Sequence, residues 1–266
     1  MFELIKISIR QRRTALVAYS LGGLAMIWLY VSIFPSMQAQ IGDYTKLIES
    51  MPKGLMKAFG AATVTNNFEG LIGTKLFGFI WPLIMLFMTV SFSCSAIAGE
   101  IEKTTMGLWL SSPISRLKIY WSKYFAVLIA LAIFMVLTVL AVLPMAGLYN
   151  IDVSSKHIFL LSIVGGLFAL AIIGVTFLVS SLFSEKSRVY AALGGGLVIM
   201  YAINLLAALS DKFADLKYLS FFYYYNSDAL LSGGSINRAS LLVFGLTALI
   251  GTVAGAIVFR RRDISI

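Results

Sequence analysis

Histidine and cysteine are almost missing from these 266 residues, with one of each, His157 and Cys94. A lone cysteine excludes a disulfide within the chain and a thiolate zinc site, and a lone histidine cannot assemble an imidazole site. Charge is scarce as well. Charged residues make up 12% of the chain against 59% hydrophobic, about half the charged share of a soluble domain, and the mean hydropathy is +0.91. A soluble chain needs those charges to coat its surface, so their scarcity points to a bilayer. The sequence has no G-x-x-x-x-G-K-[ST] phosphate loop, which excludes that mode of ATP binding. No nucleophile stands beside a base, and no metal-ligand cluster is visible. The expectation is a non-catalytic chain that holds no cofactor of its own.

What is abundant is long apolar runs. A helix needs roughly 20 apolar residues to cross the hydrocarbon core. Six runs qualify, at 15–34, 76–98, 124–148, 158–183, 189–209 and 239–259, and none contains Asp, Glu, Lys or Arg. The expected fold is therefore all-α: one polytopic transmembrane domain, 1–266, with six spans. Pro82 and Pro144 should kink the second and third, because each removes a helical hydrogen bond. The first run exceeds a signal-peptide core, and Met37 stands where a small residue should precede Ala39, so this span is expected to be retained.

The net charge of +9 could suggest nucleic acid, but the basic residues lie between the apolar runs, so lipid headgroups are the expected partner instead. Their distribution sets orientation. Thirteen lie in one set of segments: Lys6, Arg10, Arg12 and Arg13, then Lys103, Arg116, Lys118 and Lys123, then Lys186 and Arg188, then Arg260 to Arg262. The other set holds eight. The richer set is assigned to the cytoplasm, which places both termini there, in a cell (inner or plasma) membrane.

Residues 1–13 read as an amphipathic helix, with Glu3, Lys6, Arg10 and Arg13 opposite Phe2, Ile5 and Ile9, and with Ile7 out of pattern. Such a helix would lie in the headgroup layer, or serve only as a topology determinant. The outer loop to Lys75 suggests short surface helices at Tyr44–Ile48 and Leu55–Phe59, punctuated by Gly54, Gly60 and Gly70.

In the loop 99–123, Glu100 and Glu102 precede an apolar patch of Met106, Leu108, Trp109 and Leu110. Ser111-Ser112-Pro113 then ends one element and can cap the next. Apolar residues flanked by charge need cover, either the membrane interface or, the expectation here, a cytoplasmic partner. Residues 210–238 carry the run Tyr218 to Tyr225, with Phe221, Phe222, Tyr223 and Tyr224, and then Ser232-Gly233-Gly234. This stretch is too short for another crossing and too apolar for a solvated loop. It suggests either short helices dipping into the outer leaflet or an aromatic belt.

The span interiors hold no ionisable residue, which argues against an ion-coupled pump. A channel, an ion-coupled carrier, or a membrane enzyme or sensor subunit remain the alternatives. Gly165, Gly166, Ala169 and Gly174 mark close helix contacts in the fourth span. Gly194, Gly195 and Gly196 in the fifth suit either flexibility or a subunit interface. Cys94 is expected only to fill space.

The run Ala98-Gly99-Glu100-Ile101-Glu102-Lys103-Thr104-Thr105, followed by Leu108-Trp109-Leu110-Ser111-Ser112-Pro113-Ile114-Ser115-Arg116 and ending at Lys123, resembles the signature of the six-helix, type V (ABC-2-like) permeases of ATP-binding-cassette exporters. In that family the pattern is A-G-E-x-E-x-G-T, then L-L-x-x-P-x-S-R and a lysine. The stretch from Leu216 to Gly234 is similar to the region before the family's last helix, and the hydropathy layout of the whole chain also fits. Thr104 stands where the family usually has glycine, which puts the tightness of that turn in doubt.

The resemblance implies an elbow helix over 1–14, with Phe2, Ile5, Lys6 and Ile9. It implies a coupling helix within 100–117, in which Leu108, Leu110 and Pro113 form a knob and Glu100, Glu102 and Arg116 orient it, with Thr105 and Trp109 in the same segment. Two short re-entrant outer helices are implied within 211–232. Two permeases, as copies or paralogues, would join two ATPase subunits that bind ATP and Mg²⁺. The apolar composition suggests export of hydrophobic or amphipathic molecules such as drugs, lipids or antimicrobial peptides.

Overall fold

A computed structural model describes residues 1–39, 75–231 and 235–263. Two groups of expected features, the outer-loop helices at Tyr44–Ile48 and Leu55–Phe59 with their glycines, and Ser232-Gly233-Gly234, lie outside these. The described residues are helical without strands. Six helices are long and apolar enough to cross a membrane, so the chain is an all-α, polytopic membrane protein.

A short helix α1 (Phe2–Gln11) leads into α2 (Arg13–Ala39), which runs through Pro35. The second span starts as a π-helical turn, Leu76–Ile80, continued by α3 (Trp81–Ala96). The wide turn explains how Pro82 is accommodated. The Trp81 amide bonds back five residues to the Leu76 carbonyl, which opens the spiral where a proline ring would otherwise meet the preceding turn. Ile97 (φ −116°, ψ −74°) then breaks the helix before α4 (Ala98–Glu102) and α5 (Met106–Leu110).

The third span, α6 (Arg116–Leu148), begins eight residues before the apolar run does. Its N-cap is Ser115, whose hydroxyl accepts the Lys118 amide at 3.3 Å. The Ser111 and Ser112 hydroxyls instead donate to the Leu108 carbonyl, closing α5. The expected cap at Ser111-Ser112-Pro113 therefore shifts to the residue next to α6, the position from which a side chain reaches the third amide. At the far end, Asn150 (φ 53°) terminates α6. The Ile151 amide bonds to the Ala146 carbonyl and the Asn150 amide to the Gly147 carbonyl, which satisfies two otherwise orphaned acceptors.

The remaining spans are α7 (Ser155–Leu182), α8 (Lys186–Leu209) and α11 (Arg238–Arg261). Before α11 come a 3₁₀ segment (Asp211–Leu219), α9 (Phe221–Tyr224) and α10 (Ser227–Leu231). α7 is the centre of the bundle, packing on α3, α6, α8, α10 and, most extensively, α11. That last crossing is close because Gly174 meets the α11 backbone and Gly251 meets the Gly174 backbone. Lipid supplies no hydrophobic drive between helices, so close backbone approach and buried hydrogen bonds must supply the attraction.

Two such bonds tie the layers together. Trp81 Nε1 donates to Thr138 Oγ1 at 3.0 Å, and the Tyr120 hydroxyl donates to the Thr252 carbonyl at 2.8 Å. Aromatic side chains fill the space between, with Tyr120, Phe177 and Phe259 clustered toward one end and Phe168, Phe244 and Tyr225 toward the other. The Tyr225 hydroxyl donates to the Phe77 carbonyl at 2.7 Å and so ties the short helices to the π turn.

α8 is the outlier. Only 6% of its apolar window is buried, and a methyl on Gly194, Gly195 or Gly196 would meet nothing within 4 Å.

Candidate functional site: a buried ion pair beneath the α4–α5 loop

The loop 97–115 is built on one charged contact. Glu100, on α4, is 7% exposed and Lys123, two turns into α6, is 1% exposed; Lys123 Nζ donates to Glu100 Oε1. Two charges survive burial only if they compensate each other. The ammonium also lies 4.9 Å from the centre of the Trp109 ring, an attraction that strengthens away from water. Trp109 thereby fixes α5 over the pair. The Thr105 hydroxyl closes the intervening turn by donating to the Glu100 carbonyl at 3.2 Å. Glu100 Oε2 is closed to solvent with no donor among the described residues.

Three further contacts brace the elements around the loop. Arg12, at the α1–α2 junction, donates to the Phe92 carbonyl at 2.5 Å and lies over the Phe92 ring. Burial lowers its pKa, and the nearby Glu100 carboxylate is the main opposing influence. Glu102 Oε2 accepts the Lys186 amide at 2.8 Å, placing a carboxylate on the first turn of α8, where amide groups and helix dipole both favour an anion. Arg116 donates to the Arg262 carbonyl, while Arg262 reaches the Ser181 carbonyl and the Ser184 hydroxyl. The start of α6 is thus tied to the ends of α11 and α7.

Between α1–α2, α3, the loop and the start of α8 lies a cavity of about 470 Å³, lined in part by Arg12, Lys103, Lys186, Glu100 and Trp109.

The residues of the 100–117 segment fall into two groups. Glu100, Thr105 and Trp109 converge on Lys123, and Glu102 and Arg116 are anchors at the loop's edges. The apolar residues do not form one knob. Leu108 is 71% exposed and Pro113 is exposed, whereas Leu110 turns inward against the core. Positions two apart on a helix point in nearly opposite directions, so Leu108 and Leu110 cannot share a tip.

The pattern expected for α1 also shifts. The stripe facing the protein is Leu4 and Ser8, with Ile5 and Ile9 half-buried beside it, while Lys6 and Phe2 are exposed. α6 offers α1 a protein surface to pack on, and that surface selects a different stripe from the one lipid would. Among the aromatic residues, Phe221 and Phe222 pack on Phe168, the Tyr224 hydroxyl donates to the Tyr218 carbonyl, and Tyr223 stacks edge-on against Tyr218 and Tyr224.

Sequence reasoning missed the pairing of Lys123 with Glu100, the inward turn of Arg12, and the Gly251–Gly255 spacing on α11. A lysine standing between Trp121 and Phe125, facing a glutamate that directly follows an apolar run, was the available signal for the first.

Thr104, in the glycine position of the motif, has φ 58°. The turn keeps the left-handed geometry despite a β-branched residue, at a cost of roughly 1–2 kcal/mol. Thr104→Gly should therefore raise the melting temperature, with a net gain of about 0.5 kcal/mol after glycine's greater freedom in the unfolded chain is counted. Thermal unfolding in detergent measures this, and an unchanged or lower melting temperature would count against a strained turn.

The family model for the ABC-2 family transporter protein matches residues 4–264. The chain belongs to that family. The match covers nearly the whole of this ABC-2 protein, including both faces of the site, so Glu100 and Lys123 lie within the transporter fold and not in an appended segment. It is a multi-pass membrane permease of an ABC transporter, a class that works with an ATP-binding partner. No curated protein matches the chain.

Proposed function

We propose that this permease is the membrane half of an ATP-driven exporter and that separate ATPase subunits drive it through the α4–α5 loop. The observation that carries this reading is Leu108. It is an exposed leucine on a loop whose base is fixed by a buried ion pair and whose edges are bonded to the first turn of α8 and to Arg262 at the end of α11. A large apolar side chain held out on a rigid mount needs a partner to cover it.

ATP and Mg²⁺ bind the ATPase in this reading, and the permease contributes no catalytic group. Work is transmitted only if the loop's contacts differ between the ATP-bound and ATP-free partner. α1 is the elbow helix beside the loop, its exposed Phe2 reaching the cytoplasmic headgroup layer. The 3₁₀ segment, α9 and α10 are the outer re-entrant region. The bare face of α8 is covered by a second copy or a paralogue, and the substrate is a hydrophobic or amphipathic molecule that passes between the two permeases. Both termini lie in the cytoplasm and the membrane is the cell membrane.

Leu108→Asp tests the reading. Association with the cognate ATPase should fall at least tenfold, since a charge at a buried anchor costs about 2 kcal/mol or more, and transport should fall with it. The melting temperature of the isolated permease should not change. Retained ATPase association and transport in this variant would refute the coupling role of the loop.

A further inference from the structure

The cavity under the loop is more cationic than the coupling reading requires. Among the described residues Glu100 is the only acidic one that lines it, and Glu100 is already engaged by Lys123. Arg12, Lys103 and Lys186 line it as well. Arg12 is held by the Phe92 carbonyl, an uncharged acceptor, and neither lysine ammonium pairs with a carboxylate among the described residues. The Lys186 stem passes over Gly99, which also lines the cavity: a methyl on Gly99 would meet its Cε at 2.2 Å. Three like charges around one space repel each other unless an anion sits among them.

The position of the cavity narrows the choice of anion. Three of the membrane-crossing helices begin or end at its wall: one starts at Arg13, one ends at Ala96 and one starts at Lys186. This is the level of the lipid headgroups, whichever way the bundle faces. The lining mixes the cations with Ala15, Phe92, Leu108 and Trp109, an amphipathic wall suited to a phosphate attached to apolar chain. A volume of about 470 Å³ is in the range of small-molecule sites. α8, rooted at Lys186, is the span least covered by protein.

We propose that this cavity seats the phosphate of an anionic phospholipid headgroup, held by Arg12, Lys103 and Lys186 between the elbow helix and the α4–α5 loop. The bound lipid would bridge α1–α2 to the loop and to α8, all of which contribute to its wall. The proposal needs no ATPase and is read on the permease alone, so it can fail while the coupling role of Leu108 stands.

The test is retention of lipid by the full-length permease in phosphatidylcholine nanodiscs containing roughly one part in ten phosphatidylglycerol, read by native mass spectrometry. The wild type should enrich phosphatidylglycerol. Lys103→Gln with Lys186→Met, which keeps the stem over Gly99, should cut that enrichment about 25-fold, from about five-fold per basic residue. Ser95→Phe, which fills the cavity without altering charge, should cut it too. Arg260→Gln with Arg261→Gln removes two exposed charges at the same end of the bundle and should change it less than about two-fold. An equal loss in this control would reduce the effect to diffuse surface charge and overturn the site, as would an absence of enrichment in the wild type. Inorganic phosphate raising the melting temperature as much as phosphatidylglycerol would assign the cavity to a soluble phosphate and overturn the lipid.

Discussion

Lys123→Met lowers the stability of the permease by about 3 kcal/mol, the lower end of the range for stripping one partner from a buried ion pair. Methionine matches the lysine stem, so packing is kept and the loss is electrostatic. It leaves the Glu100 carboxylate, 7% exposed, without its ammonium, and Oε2 already has no donor among the described residues. Arg12 is a remaining cation that acts on Glu100, and its guanidinium stays committed to the Phe92 carbonyl. Its presence is why the lower figure is expected. Trp109 loses the cation that holds it, so protease sensitivity should rise at 103–112 before the spans unfold. Glu100→Leu combined with Lys123→Met should recover most of the loss, because a matched apolar pair removes both desolvation penalties. Thermal unfolding of the two single variants and the double variant in one detergent decides the matter. A Lys123→Met protein as stable as the wild type would show that the pair is not a support of the loop.

Gly251→Val should be comparably damaging for a different reason. A methyl on Gly251 would lie 2.6 Å from the Gly174 carbonyl carbon and 2.9 Å from the Val175 amide nitrogen. Those neighbours are backbone and cannot rotate away, so α7 and α11 must separate. The cost is about 3 kcal/mol or more, at the upper end for overpacking. Gly255 prevents relief by sliding, because its own missing methyl would meet the Tyr120 hydroxyl at 2.5 Å. The matched control is Gly245→Ala on the same helix, where nothing lies within 4 Å, and it should be neutral or mildly stabilising. Folded yield by size-exclusion chromatography and the melting temperature report both. Equal behaviour of the two variants would rule out the glycine seam as the reason for the close crossing.

The contrast between these sites shows what the sequence could express. Six spans were legible because each is a run of uncharged residues long enough to cross hydrocarbon, and length is a one-dimensional property. The short helices after α8 were legible for a related reason, since an apolar stretch too brief to cross must fold back. Gly174 was singled out as a contact position and lies in one. The Gly194–Gly196 triplet looks similar in sequence, yet it faces open space. Composition says that a helix can approach closely, not what approaches it.

Lys123 shows the same limit. Counted along the chain, it is one more basic residue beside a span, and it supports orientation as well as any other. Only folding brings Glu100 to it across 23 positions, and only then does it become part of the architecture. Arg12 likewise reads as a topology charge until α1 packs against α6. The motif around Glu100 drew attention to the right loop. It could not separate Leu108, which faces out, from Leu110, which faces in, because that depends on where the core lies.

The Glu102–Lys186 bond spans 84 positions and has a mechanical corollary. Ile97 interrupts the helix just ahead of the loop, so the helical hydrogen-bond ladder is broken between α3 and everything beyond it. No such break stands between the Glu102 carboxylate and the first turn of α8. In the proposed coupling, a force that tilts the loop would be taken up at the break on the α3 side and delivered on the α8 side, so the helix least enclosed by its own bundle would be the first to be pulled.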